Sequence, residues 1–464
     1  MRILVLLLTS GLAGAPALPV PPTAPPVGSD PAPAVEELVY RVLERSPSLD
    51  ALREKLAAAR EMVAPAGALP DPMVELMLQD PSFPQYTVGT MEMSMIGPEV
   101  RQALPFPGKR DARRAVARAE VDIRLDELDQ MRRQLVAQVR QIYARIYALD
   151  QERATLSAAR QLLDMLAATA ATRYGVGEAE QEAVIKAQLE VSRLEERSDD
   201  LDAERATLVS ALNRLLDQPG GAPLGEVKLL PPQTVPAEPW EDAVLASSAE
   251  IAVRRATVVA GQRRVDETRL DLKPDLTTGV AVGLRGGLDP VVTLRFGVEL
   301  PLWRNVRQRP MIRAAEHDLE TARAELRDAE AAARAEAARL RAEWDRAEKQ
   351  IVRYRQAIIP QSSAAIDSAR SSYLAGRGDF STVVEDFRLW LDARSELARR
   401  EADRFATWAD LDALIHGQDA DPGPQGQRPA TATDQPSSAA PATEASPETD
   451  KPAQRRAGLH PFKG

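Results

Sequence analysis

The chain contains no cysteine, so disulfides and thiolate metal sites are excluded, and no thiol is present to carry an N-terminal lipid. Its three histidines, His317, His416 and His460, are scattered without metal-ligand spacing, so no metal site is expected. No nucleophile–base grouping and no phosphate-cradling glycine loop stands out, which argues against an enzyme and against a cofactor. Beyond the first residues, no stretch approaches the roughly 20 uninterrupted apolar residues of a membrane-spanning helix. Aromatics are only 4% of the 464 residues, and a net charge of −10 disfavours nucleic acid as a partner. What remains is a chain dominated by Ala, Arg, Glu and Leu with 28% charged residues, the composition of long helices and coiled coils.

The start, Met1 to Ala17, has one positive charge at Arg2, a short apolar run and a small-residue Ala15-Pro16-Ala17 site. This pattern predicts a cleavable secretory signal over residues 1–17. Residues 18–33 form a Pro-rich leader. Residues 34–218 and 239–416 read as two structural repeats joined by a Pro/Gly linker at 219–238. The tail from 417 to 464 has too little apolar content to pack and is expected to be disordered.

The duplication rests on landmarks recurring in order. Each half opens with a helical stretch (about 34–66 and 239–271) and then a Pro-Asp pair, Pro70-Asp71 and Pro274-Asp275. Two alternating segments follow, ending at Leu104-Pro105 and Leu300-Pro301. A long helix comes next, about 108–173 and 309–373, interrupted by a glycine-containing break after a tyrosine, Tyr174-Gly175-Val176-Gly177 and Tyr373-Leu374-Ala375-Gly376. Another helix, about 178–216 and 380–416, completes each half.

Two periods coexist. Leu135, Val139, Ile142, Ile146 and Leu149 step by four and three, as do Leu340, Trp344, Ala347, Ile351, Tyr354 and Ile358; this is a coiled-coil seam. The segments at about 72–80, 90–104, 275–285 and 291–301 alternate with period two. Val292, Leu294, Phe296, Val298 and Leu300 interleave with Thr293, Arg295, Gly297 and Glu299. Dyad alternation over about ten residues is the sequence form of a transmembrane β-barrel, and a soluble hairpin is the alternative. Gly97-Pro98 predicts a bulge. Met91, Met93 and Met95, with Met73 and Met77, could supply thioethers for a soft metal, but a period of two fits packing better. Four strands cannot close a barrel, so the chain is expected to oligomerise if its strands meet lipid.

These residues resemble the TolC-like outer-membrane efflux family over about 34–416. The segments Ala68-Leu-Pro-Asp-Pro72 and Ala103-Leu-Pro-Phe-Pro-Gly-Lys-Arg110 resemble its CzcC/CusC-like heavy-metal branch. The resemblance implies a mainly α fold with membrane β. Specifically, it implies a homotrimer with a twelve-stranded barrel in outer-membrane lipid and a helical tunnel in the periplasm. It implies a periplasmic adaptor and an RND-type inner-membrane pump as partners, with this chain as the exit duct for heavy-metal cations, drugs or a secreted polypeptide. It places adaptor docking at the helix-turn tips, here Tyr174, Gly175, Gly177, Gly376 and Gly378. It also places a gate at Tyr373, with Glu385 on one carboxylate position. Thr382 occupies the other carboxylate position and Gly378 the family's arginine position, so Arg377, Asp379 and Asp386 nearby imply a rewired network. The rival of another class is a periplasmic adaptor, which has one helical hairpin and no duplicated pair of strand hairpins; a cytosolic coiled-coil scaffold is contradicted by the signal and the strands.

Overall fold

The computed structural model describes residues 31–81, 88, 93–177, 180–236 and 239–416. The expected signal, most of the Pro-rich leader and the 417–464 tail lie outside the described residues, as does Met91.

The spine is α4 (Lys109–Gly175), an unbroken helix of 67 residues, about 100 Å long at 1.5 Å per residue. Its interior holds neither Gly nor Pro, so nothing interrupts the hydrogen-bond ladder. The seam residues Leu135, Val139, Ile142, Ile146 and Leu149 are all buried. Against this spine pack α1 (Val35–Arg45), α2 (Pro47–Glu61), α5 (Gln181–Leu215), α7 (Ala249–Leu270) and α10 (Phe380–Ile415). The short α3 (Val63–Ala66) and α6 (Trp240–Ser247) complete the opening helical stretch of each half. Those stretches, expected as single helices, are broken at Ser46-Pro47 and at Ser248. In the first, proline has no N–H to continue the ladder and starts the next helix instead.

The long helix expected over 309–373 is α8 (Gln308–Arg353) and α9 (Ile359–Leu374) with a π-helical turn at Tyr354–Ile358 between them. Pro360 supplies no N–H and its ring crowds the preceding turn. Widening that turn accommodates the proline without breaking the helix. The α4 helix has no such proline and no such turn.

Four strands form one antiparallel sheet in the order β1 (Met73–Gln79), β2 (Met95–Leu104), β3 (Asp275–Arg285) and β4 (Leu288–Glu299). The second strand, expected from about residue 90, begins at Met95. The central pairing, β2 with β3, joins the two repeats. Register sets one row, Val74, Val100, Val280 and Leu294, on one face, and every member is exposed. The opposite face carries charge: Glu99 is buried between Arg101 and Arg295, each 3.2 Å away. Alternation thus separates an apolar face from an ion-paired one.

The bulge expected at Gly97-Pro98 is absent. The β2–β3 ladder skips these two residues but keeps its register, from Ile96 with Leu284 to Glu99 with Ala281. Gly97 makes this possible, because a Cβ there would stand 1.7 Å from the Val282 carbonyl oxygen. Close approach absorbs the missing proline donor in place of an inserted residue. The irregularity lies instead between Gly283 and Arg285, where β3 turns into β4. By register Met73, Met77 and Met95 share the charged face: Met95 is buried over Gly283, Met77 Sδ lies 3.4 Å from Arg295, and Met73 is exposed, as is Met93 ahead of the strand.

The linker is fastened to the spine by a buried ion pair. Arg205 Nε donates to Asp150 Oδ1 at 2.6 Å and Arg205 Nη2 to the carbonyls of Leu224 and Gly225. Asp150 Oδ2 accepts from the Val227 N–H at 2.8 Å. The chain entering α1 pairs with the same linker, Ala32 N–H donating to the Glu226 carbonyl. Asp150→Ala leaves the buried Arg205 charge without its carboxylate and the Val227 N–H without an acceptor, at a cost of about 3–5 kcal/mol. Thermal unfolding of the detergent-solubilised protein should show a lowered midpoint; an unchanged midpoint would mean the clasp carries no stability.

Candidate functional site, the paired hairpin tips

At the end far from the sheet, two helical hairpins present their turns. The first runs from α4 through Gly175, Val176 and Gly177 to α5, and the second from α9 through Ala375, Gly376, Arg377 and Gly378 to α10. In the second turn the Arg377 N–H donates to the Ser372 carbonyl and the Gly376 N–H to the Tyr373 carbonyl. These two bonds are a Schellman closure, which requires a left-handed residue, and Gly376 has φ +70°. Gly177 has φ +80° and its N–H donates to Tyr174 in the equivalent way. Asp379 caps α10, its side chain accepting from the Ser381 N–H at 3.3 Å.

The two tips are alike in backbone and unlike in their tyrosines. Tyr174 is 48% exposed, whereas Tyr373 is 4% exposed. The Tyr373 ring meets Phe380 edge-on at 5.3 Å, and the Arg173 guanidinium lies 5.0 Å from its centroid. Arg173 also donates to the Tyr373 backbone carbonyl. Among the described residues the buried Tyr373 hydroxyl has no hydrogen-bond partner. Burial pushes this phenol above its ordinary pKa; Arg173 acts against the shift and Asp379 with it.

Further contacts zip the hairpins together above the tips. Lys186 Nζ donates to Ser381 Oγ at 2.5 Å. Glu190, buried, accepts from Arg388 Nε at 3.1 Å and pairs with Arg193 at 2.8 Å. Among the expected gate residues, only Tyr373 takes part in this clasp. Arg377 is exposed, Glu385 is exposed and Asp386 is half-buried, and neither carboxylate forms an ion pair among the described residues. Sequence reasoning missed Arg173, Lys186, Glu190, Ser381 and Arg388 as a clasp. Their signal was present, since the bonded residues are separated by 200, 195 and 198 positions, close to the repeat offset.

At the other end, the strand-boundary residues anchor sheet to helices. Asp275 accepts from the Phe106 N–H at 2.7 Å and pairs with Lys109 at 2.8 Å. Gln102 donates to the Pro70 carbonyl, and Asp71 is exposed. Pro105 and Pro301 follow β2 and β4 and, lacking N–H groups, cannot extend the ladder. Among the described residues no group of three His, Asp or Glu could hold a metal ion.

Among the described residues the sheet has one apolar exposed face and two edges without a strand partner, and it is mounted on helices about 100 Å long. Residues 38–218 and 240–417 match the outer membrane efflux protein family, and the chain belongs to that family. No curated protein matches the chain. Its fold is shared with the outer membrane protein VceC of Vibrio cholerae, at 20% identity and TM-score 0.70, covering 82% of this chain and 95% of that one. The outer-membrane channel OprN matches at 16% identity and TM-score 0.72, covering 87% and 98%. The transmembrane channel CusC matches at 15% and 0.72, covering 86% and 99%. The chain is thus an outer-membrane efflux channel protein with its helical part in the periplasm, and it performs no enzymatic chemistry.

The clasp makes a testable distinction. Arg173→Ala removes a charge-assisted hydrogen bond and a cation–π contact, together about 2–4 kcal/mol. Amide exchange at the second tip should then accelerate by roughly a hundredfold. Tyr373→Phe removes a hydroxyl with no hydrogen-bond partner among the described residues and should leave that exchange unchanged. The reverse order of effects would show that the hydroxyl, and not the arginine, holds the tip.

Proposed function

We propose that three copies of this chain close into a single tube, a twelve-stranded barrel in the outer membrane continued by helices through the periplasm. In this reading the tube is the passive exit duct of a tripartite system, receiving substrate from an inner-membrane pump through a periplasmic adaptor. The observation that carries it is the pair of open edges, β1 and β4, on a sheet whose outward face is apolar. Two chains would give eight strands, enough only for a side-chain-filled barrel, whereas three give a lumen.

The hairpin tips are the mouth. Tyr174, Val176 and Leu374 are exposed apolar side chains on the two turns, suited to an adaptor's hairpin. The clasp of Arg173, Lys186 and Glu190 on Tyr373, Ser381 and Arg388 holds the second hairpin against the first. Its release is the opening step. Glu385 and Asp386, without an ion pair among the described residues, form an acidic ring at the constriction when three copies meet. An acidic ring concentrates cations, and the two Pro-rich segments at the strand ends resemble the heavy-metal branch. Heavy-metal cations are therefore the proposed cargo, ahead of drugs or a secreted polypeptide.

Reconstituted in planar bilayers, the protein should conduct with cation preference, and Glu385→Lys with Asp386→Lys should reduce or reverse that preference. Unchanged selectivity would place the ring elsewhere. In cells, deletion should raise sensitivity to heavy-metal salts more than to dyes or antibiotics; equal sensitisation would remove the metal reading and leave the duct.

A further inference from the structure

The acidic chain concentrates cations at one level, where strands give way to long helices. After β2 the sequence runs Lys109, Arg110, Asp111, Arg113, Arg114, Arg118, and after β4 the charged residues through 313 are Arg304, Arg307, Arg309 and Arg313 alone. The two repeats use these cations differently. In the first they hold the fold: Lys109 is buried on Asp275 and the Lys273 carbonyl, and Arg110 and Arg114 donate to the Gly67 carbonyl. In the second all four arginines are exposed. Arg304 reaches only the carbonyl of Pro301, and Arg307, Arg309 and Arg313 make no side-chain bond among the described residues.

The same segment exposes large apolar groups. Leu302, Trp303 and Val306 are 75%, 74% and 81% exposed, in the turns that follow the end of β4. An indole beside arginines, at the end of an apolar strand face, has the composition of a membrane-interface anchor. Position agrees with composition. β4 has 12 residues; tilted by about 45°, such a strand covers about 25 Å of depth, the height of a barrel's apolar band. Residues 302–309 therefore stand just beyond the band on the helical side, at the headgroups of the periplasm-facing leaflet.

We propose that the segment from Leu302 to Arg313 is a binding site for anionic phospholipid, with Leu302, Trp303 and Val306 in the acyl boundary and Arg304, Arg307 and Arg309 on headgroup phosphates. The proposal rests on the membrane-channel reading and adds the lipid class and the repeat that holds it. Arginine suits the role because its planar fork takes phosphate oxygens in pairs and keeps its charge at every relevant pH. Duplication supplied two cationic collars. One became a structural clamp, and the other was left free to meet lipid.

The test uses the full chain in detergent, with native mass spectrometry reading retained phosphatidylglycerol against phosphatidylcholine. The wild type should retain the anionic lipid preferentially, and R304Q/R307Q/R309Q should lose that preference. Each cation near an anionic surface is worth about fivefold in affinity, so the triple change should weaken retention by on the order of a hundredfold at low salt. R304K/R307K/R309K should keep most of it. R323Q/R327Q, the same type of change on exposed residues further along α8, should leave it intact. Equal retention in the glutamine triple variant, equal loss in R323Q/R327Q, or no anionic preference in the wild type would each overturn the proposal. Bilayer conductance is measured in parallel: a conducting wild type without lipid preference sinks only this inference, whereas a non-conducting wild type sinks the channel reading itself.

Discussion

Backbone hydrogen bonds at the edges of a four-stranded sheet govern this structure. Strands β1 and β4 each present a row of amide and carbonyl groups with no strand partner among the described residues, and hydrocarbon offers none. An unsatisfied backbone group in lipid costs several kcal/mol, and each edge carries several of them. No arrangement of one chain removes both edges, since four strands are too few to close on themselves. In the proposed tube, assembly is therefore part of folding, and the exposed row Val74, Val100, Val280 and Leu294 is the face assigned to lipid.

The helical trunk follows from the same constraint. A barrel that opens on the periplasm needs a wall continuing below it, and α4 provides one of about 100 Å with its seam buried against α5, α7 and α10. Duplication gives two hairpins per chain of matching length, but they have diverged in detail. The second carries the π-helical turn before Pro360, the buried Tyr373 and the partner side of the clasp. Arg355 at that turn and Tyr147 on the spine both bond to Glu401, so the widened turn is tied to its neighbours on two sides. In the proposed lipid site the same contrast between the two copies recurs, the first collar bonded within the fold and the second exposed.

Much of the fold class was legible because period four-and-three and period two are local properties of the chain. Val139 and Ile146 announced a seam, and Val292 to Leu300 announced a membrane strand, before any contact was known. What was not legible depends on which parts of the chain meet. The Gly97-Pro98 pair reads as a bulge when β2 is taken alone; only the approach of Val282 shows why glycine there keeps the register. Likewise Tyr174 and Tyr373 sit at equivalent places in the sequence; Phe380, seven residues on, is a local partner for the second alone, but the rest of its cover is not local. Arg173 supplies part of it by crossing from one hairpin to the other, a contact 200 residues apart.

The absence of cysteine makes the central claim directly measurable. With Leu76→Cys in β1 and Phe296→Cys in β4, oxidation of the membrane-embedded protein should link the edge of one copy to the edge of the next. The account predicts covalent dimers and trimers on denaturing gels, ending at the trimer, and no larger species. Monomers closed by an internal bridge, or a ladder continuing beyond three, would contradict it.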